Sequence, residues 1–205
     1  MIRKLKDDQL RRSDFKIGTF HGKQLPGKDS RECKIQREVY LVGNLRMNLS
    51  RTCRRDVRII AYEVPLGKKS RRIDLIGYDD AFNIFLIEVK RKDNRETLHE
   101  KVVAQIDEYA EVFHKIRKDF EKEFSTIFFF RPRFRNIIKV VLAPREYYRQ
   151  NGGENELFAT RRNGDVLFGY FGRIPKDGEK DLVKSSRNRV EVNFHNGKSW
   201  PAIAR

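Results

Sequence analysis

The chain has 205 residues, of which 45 are Lys or Arg and 29 are Asp or Glu, giving a formal net charge of +16. Hydrophobic residues make up 39% and charged residues 36%, which excludes neither a real core nor a single domain with a small appendage. A charge of this size repels itself in a compact fold, so a polyanionic partner is expected, with nucleic acid first. An anionic membrane surface or ribosomal RNA also answers to the charge alone.

Cys33 and Cys53 lie in no CxxC or Cys/His cluster, so no zinc site is readable, and two isolated thiols fit a reducing compartment. No run approaches the ~18 apolar residues of a transmembrane helix. Residues 1–14 lack the apolar core of a signal peptide. A cytoplasmic protein with no membrane partner is expected.

Three regions are expected: a basic N-terminal arm over residues 1–28, a core over 29–150, and a C-terminal extension over 151–205 packed on that core. The arm is polar and contains glycine. A capping-box-like start at Asp29-Ser30-Arg31-Glu32 opens the core. From there Ile35, Val39, Val42, Leu45 and Leu49 recur at steps of three and four, which predicts an amphipathic helix to about Leu49. Glu38 falls within its apolar face. Three strand-like runs follow: Val57–Val64, Arg71–Tyr78 and Phe82–Lys90, the last two joined by a hairpin turn. A long helix is predicted over Glu96–Phe120, with Leu98, Val102, Ile106, Tyr109, Phe113, Ile116 and Phe120 as its stripe. Asn136–Ala143 reads as a buried strand ended by Pro144, and Asn151–Asp165 as a loop. Val166–Phe171 and Arg189–Phe194 read as further short strands. The order helix, three strands, helix, strand predicts an α/β sandwich with one mixed sheet.

The segment that carries chemistry is Ile73-Asp74-Leu75 followed by Leu86-Ile87-Glu88-Val89-Lys90. On a strand Glu88 and Lys90 share a face, while Phe85, Ile87 and Val89 point to the other. Hairpin pairing would bring Asp74 beside Glu88. Buried carboxylates so close together repel unless paired or bound to a cation. With no His or Cys nearby, the ligands are hard oxygens, which suit Mg²⁺ or Mn²⁺ rather than zinc. Lys90 is suited to orienting a metal-bound water or stabilising charge on a phosphate. The plainer alternative makes Asp74 and Glu88 the ends of exposed salt bridges, since a D-x₁₃-E-x-K spacing arises easily in so charged a chain.

Gln105 and Tyr109 lie four apart on one helix face, and Lys101 extends the line by a turn. Each is equally readable as structure, Tyr109 as a core aromatic and Gln105 as a surface amide. Glu63 and Asp79-Asp80 read as structural or solvated. His21, His99, His114 and His195 are scattered and form no triad. Arg131, Arg133, Arg135 and Arg145 flank the late strand, either as phosphate contacts or as a solvated basic face.

Taken together, Glu38, Asp74, Glu88-Val89-Lys90 and Gln105-x-x-x-Tyr109 resemble the PD-(D/E)xK nuclease superfamily, and the Q-x-x-x-Y helix is similar to that of RecB-type nuclease domains. The resemblance covers about Glu32 to Ala143, and Ile73 stands where proline is frequent. It implies a restriction-endonuclease-like fold, a mixed central sheet flanked by helices with an αβββαβ core. It also implies that Asp74, Glu88 and the Val89 carbonyl ligate Mg²⁺ or Mn²⁺ and that Lys90 acts on the attacking water. Glu38 would assist metal or water, and Gln105 and Tyr109 would brace the site. A metal-dependent nuclease acting on DNA is therefore expected. The alternatives are a non-catalytic nucleic-acid-binding module on the same fold and an unrelated RNA-binding protein. A homodimer is left open.

Overall fold

In the computed structural model the described residues are 31–65, 72–92, 98–128, 132–151, 166–171 and 189–194. The expected arm over 1–28, the expected loop over 151–165 apart from Asn151, and much of the expected C-terminal extension lie outside them.

Helix α1 spans Arg31–Val42. It ends at Gly43, whose φ of 73° is a conformation that a β-carbon disfavours. The Gly43 N–H donates to the Val39 carbonyl at 3.1 Å and closes the last turn. The helix expected to reach Leu49 therefore stops at Val42, and Asn44–Asn48 forms strand β1. The physical reason is an ambiguity of period. Leu45 and Leu49 fit a helical step of four, but Leu45, Met47 and Leu49 also alternate with Arg46 and Asn48, as a half-buried strand requires.

Strands β2 (Arg54–Pro65), β3 (Arg72–Asp79) and β4 (Ile84–Val89) form an antiparallel meander with β1. The β3–β4 turn is held by Asp79, whose carboxylate accepts from the Ala81 and Asn83 N–H groups at 3.0 and 2.9 Å. A π-helical turn, Leu98–Val103, leads into the long helix α2, Ala104–Phe128. Strand β5 (Ile137–Ala143) pairs parallel with β4, and the short helix α3 (Arg145–Gln150) follows. Strand β6 (Val166–Phe171) pairs parallel with β5. Strand β7 (Val190–Phe194) pairs antiparallel with β6 and parallel with β1, from Leu45↔Val190 to Asn48↔Asn193.

That last pairing overturns the expected sandwich. The sheet is not an open one of restriction-endonuclease type; it is a closed seven-stranded mixed barrel with few helices. Two strands make the difference. β1 was expected as helix, and β7 joins it across the closure. Without β1, β7 would have paired with β6 alone and the sheet would have ended in open edges.

Alternation sorts the side chains into two layers. Leu45, Met47, Val57, Ile59, Leu75, Phe85, Ile87, Val89, Ile138, Val140, Leu142, Leu167, Val190 and Val192 come from all seven strands and meet in one buried cluster, the barrel interior. Helix α1 adds Val39 and Tyr40 to it. On the outer face, α2 lays Tyr109, Phe113, Ile116, Phe120 and Phe124 against Ile60, Ala61, Ile76, Ile84 and Leu86. Tyr147 and Tyr148 of α3 cover Val141, Val166 and Phe168. The candidate site lies in the layer between the barrel and α2.

Candidate active site

The β3–β4 ladder runs from Tyr78↔Ile84 to Leu75↔Ile87. One more step of that register would set Asp74 opposite Glu88. The two strands leave the ladder here: the Val89 N–H donates to Asp74 Oδ2 at 2.7 Å. Beyond this point β4 is held by β5, where the Lys90 N–H donates to the Leu142 carbonyl at 2.9 Å. The Asp74 carboxylate is thus fixed against the Glu88–Val89 peptide.

Glu88 and Lys90 share the outer face with Ile84 and Leu86, under α2. The Lys90 ammonium lies 2.8 Å from Glu88 Oε1. Asp74, Glu88 and Lys90 are 8%, 3% and 4% exposed, so the exposed-salt-bridge alternative does not describe them. Three ionisable groups removed from water in one place are costly unless each is compensated.

On helix α2 Tyr109 packs against the outer face of the barrel, and the Gln105 amide donates to its hydroxyl. The Tyr109 phenol is pushed up to about 12, first by burial and then by the Glu88 carboxylate. Asp74 adds to the rise, while the Gln105 hydrogen bond and the Lys90 charge oppose it. The Tyr109 phenol lies near enough to all three charged groups for their charges to shift it, and it stays protonated at neutral pH. Asp74, Glu88, Lys90, Gln105 and Tyr109 therefore form one constellation. Lys101, a turn before Gln105, is exposed.

Glu38 comes from another element. It is half-buried on α1, whose neighbouring Val39 and Tyr40 pack into the barrel interior rather than beneath α2. Glu63, read as structural, is ion-paired with Arg72 at 3.1 Å. It nonetheless faces Asp74 across the β2–β3 ladder, between Tyr62↔Leu75 and Val64↔Ile73. Its φ is 51°, and a register shift between Ile59 and Ala61 precedes it, so β2 is irregular beside the cluster. Nothing in the sequence announces that irregularity, because Glu63 is not a glycine. Arg133 and Arg135 are exposed, and Arg145 stacks over the Tyr170 ring at 5.7 Å.

The groups able to hold a cation are the Asp74 and Glu88 carboxylates and the Val89 carbonyl. Among the described residues no cluster of three or more His, Cys, Asp or Glu side chains is suited to a metal. Two carboxylates nevertheless fit a hard divalent cation, since Mg²⁺ commonly takes one or two and keeps several waters. Among the described residues no His or Cys is grouped with these carboxylates, unlike the usual zinc site.

No protein family, curated protein or solved structure matches the chain. Among the described residues no helix is long and apolar enough to cross a membrane.

Proposed function

We propose that this chain is a metal-dependent nuclease hydrolysing phosphodiester bonds of nucleic acid, with DNA as the first substrate class. The observation that carries the reading is the buried Glu88–Lys90 pair beside the Asp74 carboxylate, roofed by Tyr109. A cluster needed only for stability would be served as well by apolar residues of similar volume. The resemblance to PD-(D/E)xK nucleases rests on this constellation and not on the fold.

In this reading Asp74, Glu88 and the Val89 carbonyl hold Mg²⁺ or Mn²⁺, which when bound polarises a phosphate and lowers the pKa of its water. Asp74 is kept in position by the Val89 N–H. Glu88 keeps the Lys90 ammonium in the cluster, where it stabilises negative charge developing on the phosphate. Tyr109, protonated and bonded by Gln105, packs the roof and limits water. Glu38 is left out of this reading, because its helix packs on the barrel interior and not beneath α2.

One observation favours the second reading, a non-catalytic nucleic-acid-binding module: Lys90 is already engaged by Glu88, as in a purely structural pair. The test is incubation with circular and linear DNA and RNA, with Mn²⁺ and with chelator. Metal-dependent cleavage of at least one substrate is expected. Binding to all of them without cleavage of any would favour the module.

A further inference from the structure

The outer face of the barrel at strands β1, β2 and β7 carries a second feature. Arg46 and Asn48 of β1, the Ser50–Arg51 turn, Arg54 of β2, and Arg189, Glu191 and Asn193 line a groove of about 480 Å³. Alternation explains why it is polar. Leu45, Met47, Val190 and Val192 point into the barrel, so their sequence neighbours face outward. The sequence hides the groove because Arg46 falls in a stretch that reads as helix.

The arginines outnumber their counter-charges. Arg46 makes a fork to Asp56, at 2.8 and 2.9 Å, and Arg189 lies 3.4 Å from Glu191. Glu191 also accepts from the Asn48 amide at 2.8 Å. Arg51 and Arg54 are exposed and pair with no carboxylate among the described residues. The turn that presents Arg51 is tied down: Ser50 Oγ accepts from the Cys53 N–H at 3.0 Å, and the Leu49 N–H donates to the Cys53 carbonyl at 3.0 Å. Two guanidinium groups without a carboxylate partner among the described residues thus stand on a concave, hydrogen-bonded wall. Guanidinium groups suit phosphate through their planar forks, and a groove suits a strand better than a flat lipid surface.

We propose that this groove is a second binding site for the phosphodiester backbone, holding nucleic acid remote from the Asp74–Glu88–Lys90 cluster. Glu63 faces Asp74, and from Arg54 to Glu63 strand β2 runs roughly 30 Å at ~3.3 Å per residue. A bound strand would therefore be gripped well away from the point of cleavage. The proposal rests on the nucleic-acid reading above only for the identity of its ligand.

The test compares wild type, Arg51→Ala/Arg54→Ala, and a control that removes the same charge from the exposed face of α2, Lys115→Ala/Lys118→Ala. Binding to a short DNA duplex is measured across a salt series, with Ca²⁺ in place of Mn²⁺ so that cleavage does not interfere. Losing two phosphate contacts should lower the slope of log affinity against log salt by about 1.8, at ~0.9 per contact. The control should change it clearly less. A groove variant with the wild-type slope, or one reduced no more than the control, overturns the proposal. So does groove-dependent binding to phosphatidylserine vesicles without groove-dependent binding to the duplex. Groove-dependent binding by a wild type that cuts nothing supports the groove and defeats the nuclease reading. Cleavage by a wild type whose groove variant binds unchanged does the reverse.

Discussion

Lys90→Met removes one charge from a pair that lies 2.8 Å apart with side chains 5% and 3% exposed. The methionine keeps most of the apolar stem, so packing changes little. What remains is the Glu88 carboxylate, buried without its cation. Breaking a buried pair from one side costs about 3–5 kcal/mol. For a chain of this size each kcal/mol is worth about 2–4 °C, so Tm should fall by roughly 6–20 °C. The double variant Glu88→Gln/Lys90→Met should recover most of that loss, because both charges of the pair are then gone and neither is left without its partner. Mn²⁺ supplies the distinguishing signature. In Lys90→Met a cation at Asp74 and Glu88 replaces the missing positive charge, so Mn²⁺ should raise Tm more than it does in wild type. In the double variant the increment should disappear. The assay is thermal unfolding of the three proteins with Mn²⁺ and with chelator. A loss below about 1 kcal/mol in Lys90→Met would refute the premise that Glu88 is a buried, compensated charge. An equal Mn²⁺ increment in Lys90→Met and the double variant would show that the cation does not bind at Glu88.

Three further outcomes follow from the same structure. Tyr109 is pushed from 10.0 to about 12, so below pH 10 both states hold the proton and stability is complete. Between pH 10 and 12 only the unfolded chain releases it, and stability falls by on the order of 2–3 kcal/mol. Tyr109→Phe should remove that share of the alkaline loss in a denaturation series, leaving the parts due to Tyr40, itself raised to about 12, and to Tyr148, raised by burial; an unchanged pH profile would contradict the burial argument. At Gly77 an added β-carbon would stand 2.7 Å from Val57 Cγ1 and 2.8 Å from the Arg58 carbonyl oxygen, and the backbone atom cannot yield cheaply. Gly77→Ala should therefore cost about 1–3 kcal/mol in urea unfolding, and a neutral result would show that β2 and β3 are free to separate there. Arg51→Ala/Arg54→Ala should leave the unfolding free energy within about 0.5 kcal/mol of wild type per substitution while weakening duplex binding, because both side chains are exposed.

Much of the chain order was legible because its elements carry one unambiguous period. The Tyr109, Phe113, Ile116 and Phe120 stripe can only be a helix face, and it is buried on α2. The run from Ile84 to Val89 is buried throughout, as an apolar run of that length suggests. The closure was not legible. Leu45 and Leu49 satisfy both helical and strand spacing, and the pairing of β1 with β2 and β7 decides between them. Val166–Phe171 and Val190–Phe194 read as strands, yet which strand each would join depends on contacts far apart in sequence. At the site, strand alternation alone puts Glu88 and Lys90 together. The Asp74 bond to the Val89 N–H depends on two strands parting, and the Glu63 conformation depends on a distortion of β2. Neither has a residue-type signature.

The central claim is that Asp74 and Glu88 hold a divalent cation that makes the cluster a nuclease. Asp74→Asn tests it with least disturbance, since the amide oxygen can still accept from the Val89 N–H. Wild type and Asp74→Asn, each checked for folding by its Tm, are assayed for cleavage of circular DNA over a Mn²⁺ titration. Wild type should cut in proportion to bound Mn²⁺, and Asp74→Asn should cut about 10²–10³-fold more slowly, as losing one preorganised electrostatic group does, with a weaker Mn²⁺ requirement curve. Equal metal-dependent rates in the two proteins would contradict the account.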